Sequence, residues 1–124
     1  QLSNKVISEI ELGLSYIKDN FIIGVTGSNG KTTLVNMIYH LLKDKYHVHK
    51  LGNIGVPLTS KISYINKSDI VILELSSFQL ENTYSKCINI GIITNLLNNH
   101  FDSVFSKEVY FASKLKLVKL SKLL

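Results

Sequence analysis

FIIGVTGSNGKTT, residues 21–33, runs from an apolar stretch into a glycine-rich turn and on to Lys31, Thr32 and Thr33. Residues 21–26 are short and apolar, which suits a buried parallel strand. After the turn, LVNMIYHLLK places Leu34, Ile38, Leu41 and Leu42 at spacings of three and four, as in a helix with one buried face. Strand, glycine turn and helix in that order form the context of a phosphate-binding loop. Gly27, Asn29 and Gly30 let consecutive backbone N–H groups face inward as an anion nest at a helix N-terminus, and Lys31 adds a point charge for terminal phosphates. Thr32 then offers its hydroxyl to Mg²⁺. The general phosphate-loop pattern has a glycine five residues before Gly30, where this chain has Val25. TGSNGKTT is a shorter and more specific variant of it.

Outward from this turn the alternation continues. YHVHKL (46–51) alternates like a strand, and GNIGVP (52–57) is a loop with two glycines and the only proline. DIVILEL (69–75) reads as a central strand that delivers Glu74 at its end, and INIGIITN (88–95) repeats the arrangement. SKEVYFASKLKLVKL (106–120) is helix-like. The expected fold class is therefore α/β, a three-layer parallel sheet flanked by helices on both faces, with ligands at the carboxyl ends of its strands. No internal repeat or low-complexity linker divides the chain.

Composition sets the outer bounds. The 124 residues are about one domain's worth, and 45% hydrophobic with 19% charged residues is the balance of a soluble globular domain. No apolar run approaches the roughly 20 residues of a membrane span, and no leader pattern opens the sequence, so the expected compartment is the cytoplasm, away from membranes. Cys87 stands alone and is read as an inert core thiol. The net charge of +5 comes from lysines alone, scattered from Lys5 to Lys122 with a denser tail, KLKLVKLSKLL. Without the bidentate fork of arginine this reads as a solvated surface, with no nucleic acid as partner.

Further residues carry chemistry. Glu74, at the end of an apolar strand beside a phosphate loop, is a natural magnesium ligand. Ser76, Ser77 and Gln79 either orient a substrate or cap the next helix, and Asn53 in GNIG either offers an amide to a ligand or occupies a plain turn. His100, with Asp102 nearby, follows another strand end, where a neutral imidazole either ligates a metal or is simply solvated. His40, His47 and His49 lie on a helix or a surface-like strand and receive no function. Lys114 is, by periodicity, one lysine among several.

Taken together, TGSNGKTT, GNIGVPL, LELSSFQLE, ITNLLNNHFD and ASKLKL, in that order, resemble the central ATP-binding domain of the Mur ligases, and SEIEL (8–12) resembles the segment leading into it. GNIG with ELSSFQLE is similar to the members that add D-glutamate to UDP-N-acetylmuramoyl-L-alanine. The resemblance implies a P-loop-type sheet and an amide-forming ligase that activates a carboxylate with ATP as an acyl phosphate, which the amine of D-glutamate then attacks. It implies that Gly27, Ser28, Asn29, Gly30, Lys31, Thr32 and Thr33 cradle ATP, and that Lys31 meets the transferred phosphate. Thr32 and Glu74 would hold one Mg²⁺, His100 and a Lys114 carbamylated by CO₂ would serve the second, and Asn53, Ser76, Ser77 and Gln79 would line the substrate. Asn98 and Asn99 depart from the family, which usually has proline and aspartate there. By the same resemblance, residues 1–20 lead in from an N-terminal domain, and residues 21–124 are a truncated ATP-binding domain. The resemblance further implies that the C-terminal domain, which binds D-glutamate, is absent from these residues. The expectation is a piece inactive in ligation by itself; the competing readings are a nucleotide-binding remnant without catalysis, or another Mur-type or folylpolyglutamate ligase.

Overall fold

The structure, a computed structural model, describes residues 8–81, 83–95, 117 and 121–123. Among the described residues, five parallel strands form one sheet in the order β2-β3-β1-β4-β5: β1 is Phe21–Thr26, β2 Val48–Gly52, β3 Ile70–Glu74, β4 Ile88–Ile93 and β5 Ser121–Leu123. The expected α/β fold is found. Strands β1 and β3, between parallel neighbours, are largely apolar on both faces, as burial on both sides demands. In β3 every residue from Ile70 to Glu74 is buried. The fifth strand falls in SKLL, just past the stretch read as a helix from periodicity, and three residues are too few to show a period-2 pattern. Of residues 106–120, only Leu117 lies within the described residues.

The pleat divides these strands between two cores. Ile23, Val25, Ile70 and Ile72 point to the face covered by α2 (Lys31–Leu42), where Val35 is fully buried and Leu34, Ile38 and Leu42 pack around it. Leu41 was expected on that buried face, yet it is 79% exposed. At 100° per residue, a stripe centred on Val35 leaves position 41 pointing away. On the opposite face Ile22, Val71 and Leu73 meet α1 (Glu9–Ile17) and the 3-10 helix Leu58–Tyr64. Ile10, Leu14 and Ile17 of α1 belong to this core, and a Cβ at Gly13 would lie 2.5 Å from the Leu58 side chain. Helix α1 opens on Ser8, whose hydroxyl accepts the Glu11 N–H. It is tied down further by Glu9, whose carboxylate accepts the Thr59 N–H, and by Glu11, which accepts from the Tyr84 and Ser85 amides.

At the amino ends of β2 and β3, Asp69 is buried at 3% exposure. Burial alone pushes its carboxyl up; the hydrogen bond from His49, the Asn66 N–H and the charges of His47 and His49 outweigh this and hold it below the usual carboxylate range. A carboxyl lowered in the folded state stabilises the fold fully above its unfolded value of about 3.9, and that contribution fades as pH falls through the folded value. Asp69→Asn is expected to flatten the loss of stability below about pH 4 in thermal melts. Wild-type acid sensitivity in the variant would contradict it. Ile72→Ala, fully buried under α2, is expected to cost about 2–5 kcal/mol in urea unfolding.

Candidate functional site at the carboxyl edge of the sheet

Strand β1 ends at Thr26, whose hydroxyl donates to the Leu75 carbonyl at 2.6 Å. The chain then turns at Gly27, with φ of 145°, and at Gly30, with φ of 86°, before α2 begins. Only glycine suits Gly27: its φ lies where L side chains are strained, and a Cβ there would collide with the Thr94 side chain. Gly30 caps α2 with no side-chain hydrogen bond, and the first intrahelical bond is Leu34 N–H to Gly30 O. The N–H groups of Lys31, Thr32 and Thr33 are the first-turn donors that a helix leaves without an intrahelical acceptor. With the positive end of the helix dipole behind them, they favour an anion.

The loop's donors divide into two sets. Ser28 N–H and Asn29 N–H both donate to Asn95 Oδ1, each at 2.9 Å, so these amides bind a neighbouring strand end. Asn95 Nδ2 and the Thr94 hydroxyl return donations to Asn29 O at 3.1 and 2.7 Å, and Thr94 N–H donates to Thr26 O. Asn95 thus acts as a strap across the turn. Sequence reasoning stopped at His100 in this segment and missed Asn95, although its position at the end of an apolar run was visible. What makes it matter is the pairing of β4 with β1, which sets Ile93 beside Thr26.

Lys31 lays its ammonium on Gly27 O at 2.9 Å, holding it over the turn. The Thr32 hydroxyl donates to Glu74 Oε1 at 2.7 Å. That contact unites two of the expected magnesium ligands from elements far apart in sequence. Glu74 is 3% exposed. A buried carboxylate costs free energy unless compensated, and carboxylate with hydroxyl is the hard-oxygen set that Mg²⁺ accepts. The oxygen atoms that meet here fit that ion in kind.

Asn53 follows β2 and is exposed, with its N–H donating to Glu74 O at 2.7 Å. The preceding Gly52 has φ of 100° and lies so close that a Cβ would approach Glu74 O to 2.5 Å, so the GNIG turn is pressed against the carboxylate strand. Ser76 and Gln79 cap α3 (Ser77–Glu81) reciprocally: Gln79 Oε1 accepts the Ser76 N–H, and the Ser76 hydroxyl accepts the Gln79 N–H. Ser77 is half-buried beside them. His100, Asp102 and Lys114 lie outside the described residues.

Three comparisons bear on this site. Residues 25–123 match the family described as Mur ligase middle domain. The chain is 49% identical over 94 residues to a protein of Acetivibrio thermocellus named UDP-N-acetylmuramoylalanine--D-glutamate ligase, covering 75% of this chain and 20% of that protein. To the protein of the same name from Pseudothermotoga lettingae it is 43% identical over 122 residues, covering 95% of this chain and 27% of that protein. Among solved structures, the MurF ligase of Thermotoga maritima in complex with ADP superposes with a TM-score of 0.67 at 25% identity, over 92% of this chain and 29% of that one. The chain spans about a quarter of the length of the curated relatives it matches.

The strap makes a measurable claim. Asn95→Ala strips the Asn29 amide of its Asn95 Oδ1 acceptor and leaves the Ser28 N–H the Asn95 main-chain oxygen at 3.2 Å, and losing such a bond costs about 1–3 kcal/mol. Amide hydrogen exchange at Asn29 is expected to quicken by at least about tenfold, and at Ser28, which keeps its main-chain bond, by less. Exchange at Ile22 and Ile23 should stay unchanged.

Proposed function

The chain belongs to the Mur ligase family through its middle domain, and we propose that it is the ATP-binding core of a ligase that adds D-glutamate to UDP-N-acetylmuramoyl-L-alanine. The contact that carries this reading is Thr32 to Glu74 at the start of α2, because it sets hard oxygen atoms beside a glycine turn that also holds the Lys31 ammonium, the groups that Mg²⁺ and phosphate call for. The solved neighbour with ADP and the names of the relatives support it.

In this reading the first-turn amides of α2 take phosphate oxygens, and Lys31 leaves Gly27 O to neutralise the phosphoryl group in transfer. Bound Mg²⁺ supplies charge neutralisation on the phosphates. Thr32 and Glu74 hold that ion, while His100 and a Lys114 carbamylated by CO₂ hold a second. Asn53, Ser76, Ser77 and Gln79 border the acceptor substrate, whose carboxylate becomes an acyl phosphate open to attack by the D-glutamate amine. These residues contribute position and electrostatics, the two main sources of rate in phosphoryl transfer. Ligation also calls on the rest of the relatives' length, for the uridine nucleotide, for D-glutamate and for closure over ATP. The 124 residues alone bind nucleotide without ligating.

Calorimetry with Mg-ATP is expected to show binding that Lys31→Ala weakens by roughly ten- to a hundredfold, since a hydrogen bond to a charged group contributes about 1.5–3 kcal/mol. Absence of nucleotide binding by the folded chain would refute the reading. In the chain completed with the N- and C-terminal portions of a curated relative, ligation is expected with D-glutamate ahead of other amino acids. A preference for a different amino acid would reassign the substrate.

A further inference from the structure

The two strands that bring Asn53 and Glu74 to the carboxyl edge also gather polar groups at their other end. Val48 of β2 pairs with Ile70 of β3, so His47 and Asp69, which precede these strands, are neighbours. His49 Nε2 lies 2.8 Å from Asp69 Oδ2, and His47 Nδ1 lies 3.3 Å from the same oxygen. One ligand atom from each of the three residues falls within 4.8 Å of the others.

That spacing is close to what a metal centre requires. Nitrogen and oxygen ligands about 2.0–2.1 Å from a tetrahedral zinc ion sit about 3.3 Å from one another. Two of the separations already meet this figure or are shorter, and a displacement of at most about 1.5 Å brings in the third. The cluster is graded in exposure: the Asp69 and His49 side chains are 4% and 13% exposed, whereas that of His47 is 68% exposed. The inner ligands are therefore held by packing, and the outer one leaves room for an ion to enter and for water to complete its coordination. Asp69 is oriented by the Asn66 N–H, which donates to the same Oδ2 at 2.9 Å, and by the Asn20 amide on its main-chain oxygen. Such outer partners fix the ligands of real metal sites. A neutral imidazole binding through one ring nitrogen carries its proton on the other, so both histidines can ligate without added charge.

We propose that His47, His49 and Asp69 form a site for a divalent transition metal of zinc type at the amino edge of the sheet. Two imidazoles and one carboxylate suit Zn²⁺, Ni²⁺ or Cu²⁺, whereas Mg²⁺ and Ca²⁺ take oxygen sets. The site is separate from the nucleotide end, since the five steps from Asp69 to Glu74 span ~17 Å at about 3.3 Å per residue. A bound ion cross-links the start of β2 to the start of β3 and stabilises the folded chain by mass action.

Zinc chloride titrated into the full chain, with millimolar Mg²⁺ present and no nucleotide, is expected to give one saturable site and a raised melting temperature. Co²⁺ in its place should give a visible absorption band. His47→Ala, at an exposed side chain, and His49→Gln, which retains an amide donor for Asp69, should each weaken zinc binding by at least about tenfold and abolish the band. Circular dichroism of both variants checks folding, and His47→Ala alone decides the matter if His49→Gln is unfolded. Failure of the wild-type chain to bind zinc, or equal binding by His47→Ala, overturns the proposal and leaves the cluster as an Asp69 anchor only. Mg-ATP binding is read separately, so neither result depends on the ligase reading.

Discussion

Val25 and Glu74 are register partners on adjacent parallel strands, and Gly52 is the partner of Glu74 on its other side. From this pairing follows the layout of the carboxyl edge. Parallel strands in register end together, so the turn after β1, the carboxylate of β3 and the GNIG turn after β2 arrive at one place. A shift of one residue would turn Glu74 to the opposite face of the sheet, away from Thr32. The apolar residues before Glu74 fix that register, because Ile70 and Ile72 must meet α2 while Val71 and Leu73 meet α1 and the 3-10 helix. The core therefore does more than hold the domain together. It decides which hydroxyl a buried carboxylate faces.

On this frame the glycine turn after β1 is held by its own hydrogen bonds. Thr26 is bonded to Leu75, Ser28 and Asn29 to Asn95, and Lys31 to Gly27. A loop ordered in advance loses less conformational freedom when it binds, which raises affinity without adding a contact. The division of its amides has a second effect. Those bonded to Asn95 fix the shape of the turn, and those at the start of α2 keep their polarity for an anion. Lys31 serves the first use, since its ammonium satisfies the Gly27 carbonyl.

The two ends of β2 and β3 differ in chemistry for a simple reason. Polar groups are costly in the middle of a buried sheet and collect where the strands emerge. At the carboxyl edge they are oxygens beside a helix N-terminus, an arrangement for anions and hard cations. At the amino edge they are two imidazoles and a carboxylate, a softer set. Asp69 and Glu74 thus close opposite ends of one strand with distinct partners.

The sequence by itself determined the class of fold and the residue types of the first turn. Alternating apolar runs and helical stripes predict a parallel sheet, and TGSNGKTT after a strand predicts a glycine turn at a helix start. It also supplied Glu74 as a carboxylate at a strand end and the family to which these segments belong. It did not show Asn95 as the strap, Leu41 as exposed, β5 as a strand or His47 and His49 as neighbours of Asp69. Each of these depends on which segments lie side by side. Local pattern reports how a residue sits relative to its own helix or strand; only strand order and register, set by the packing of both cores, report what it meets on the next one.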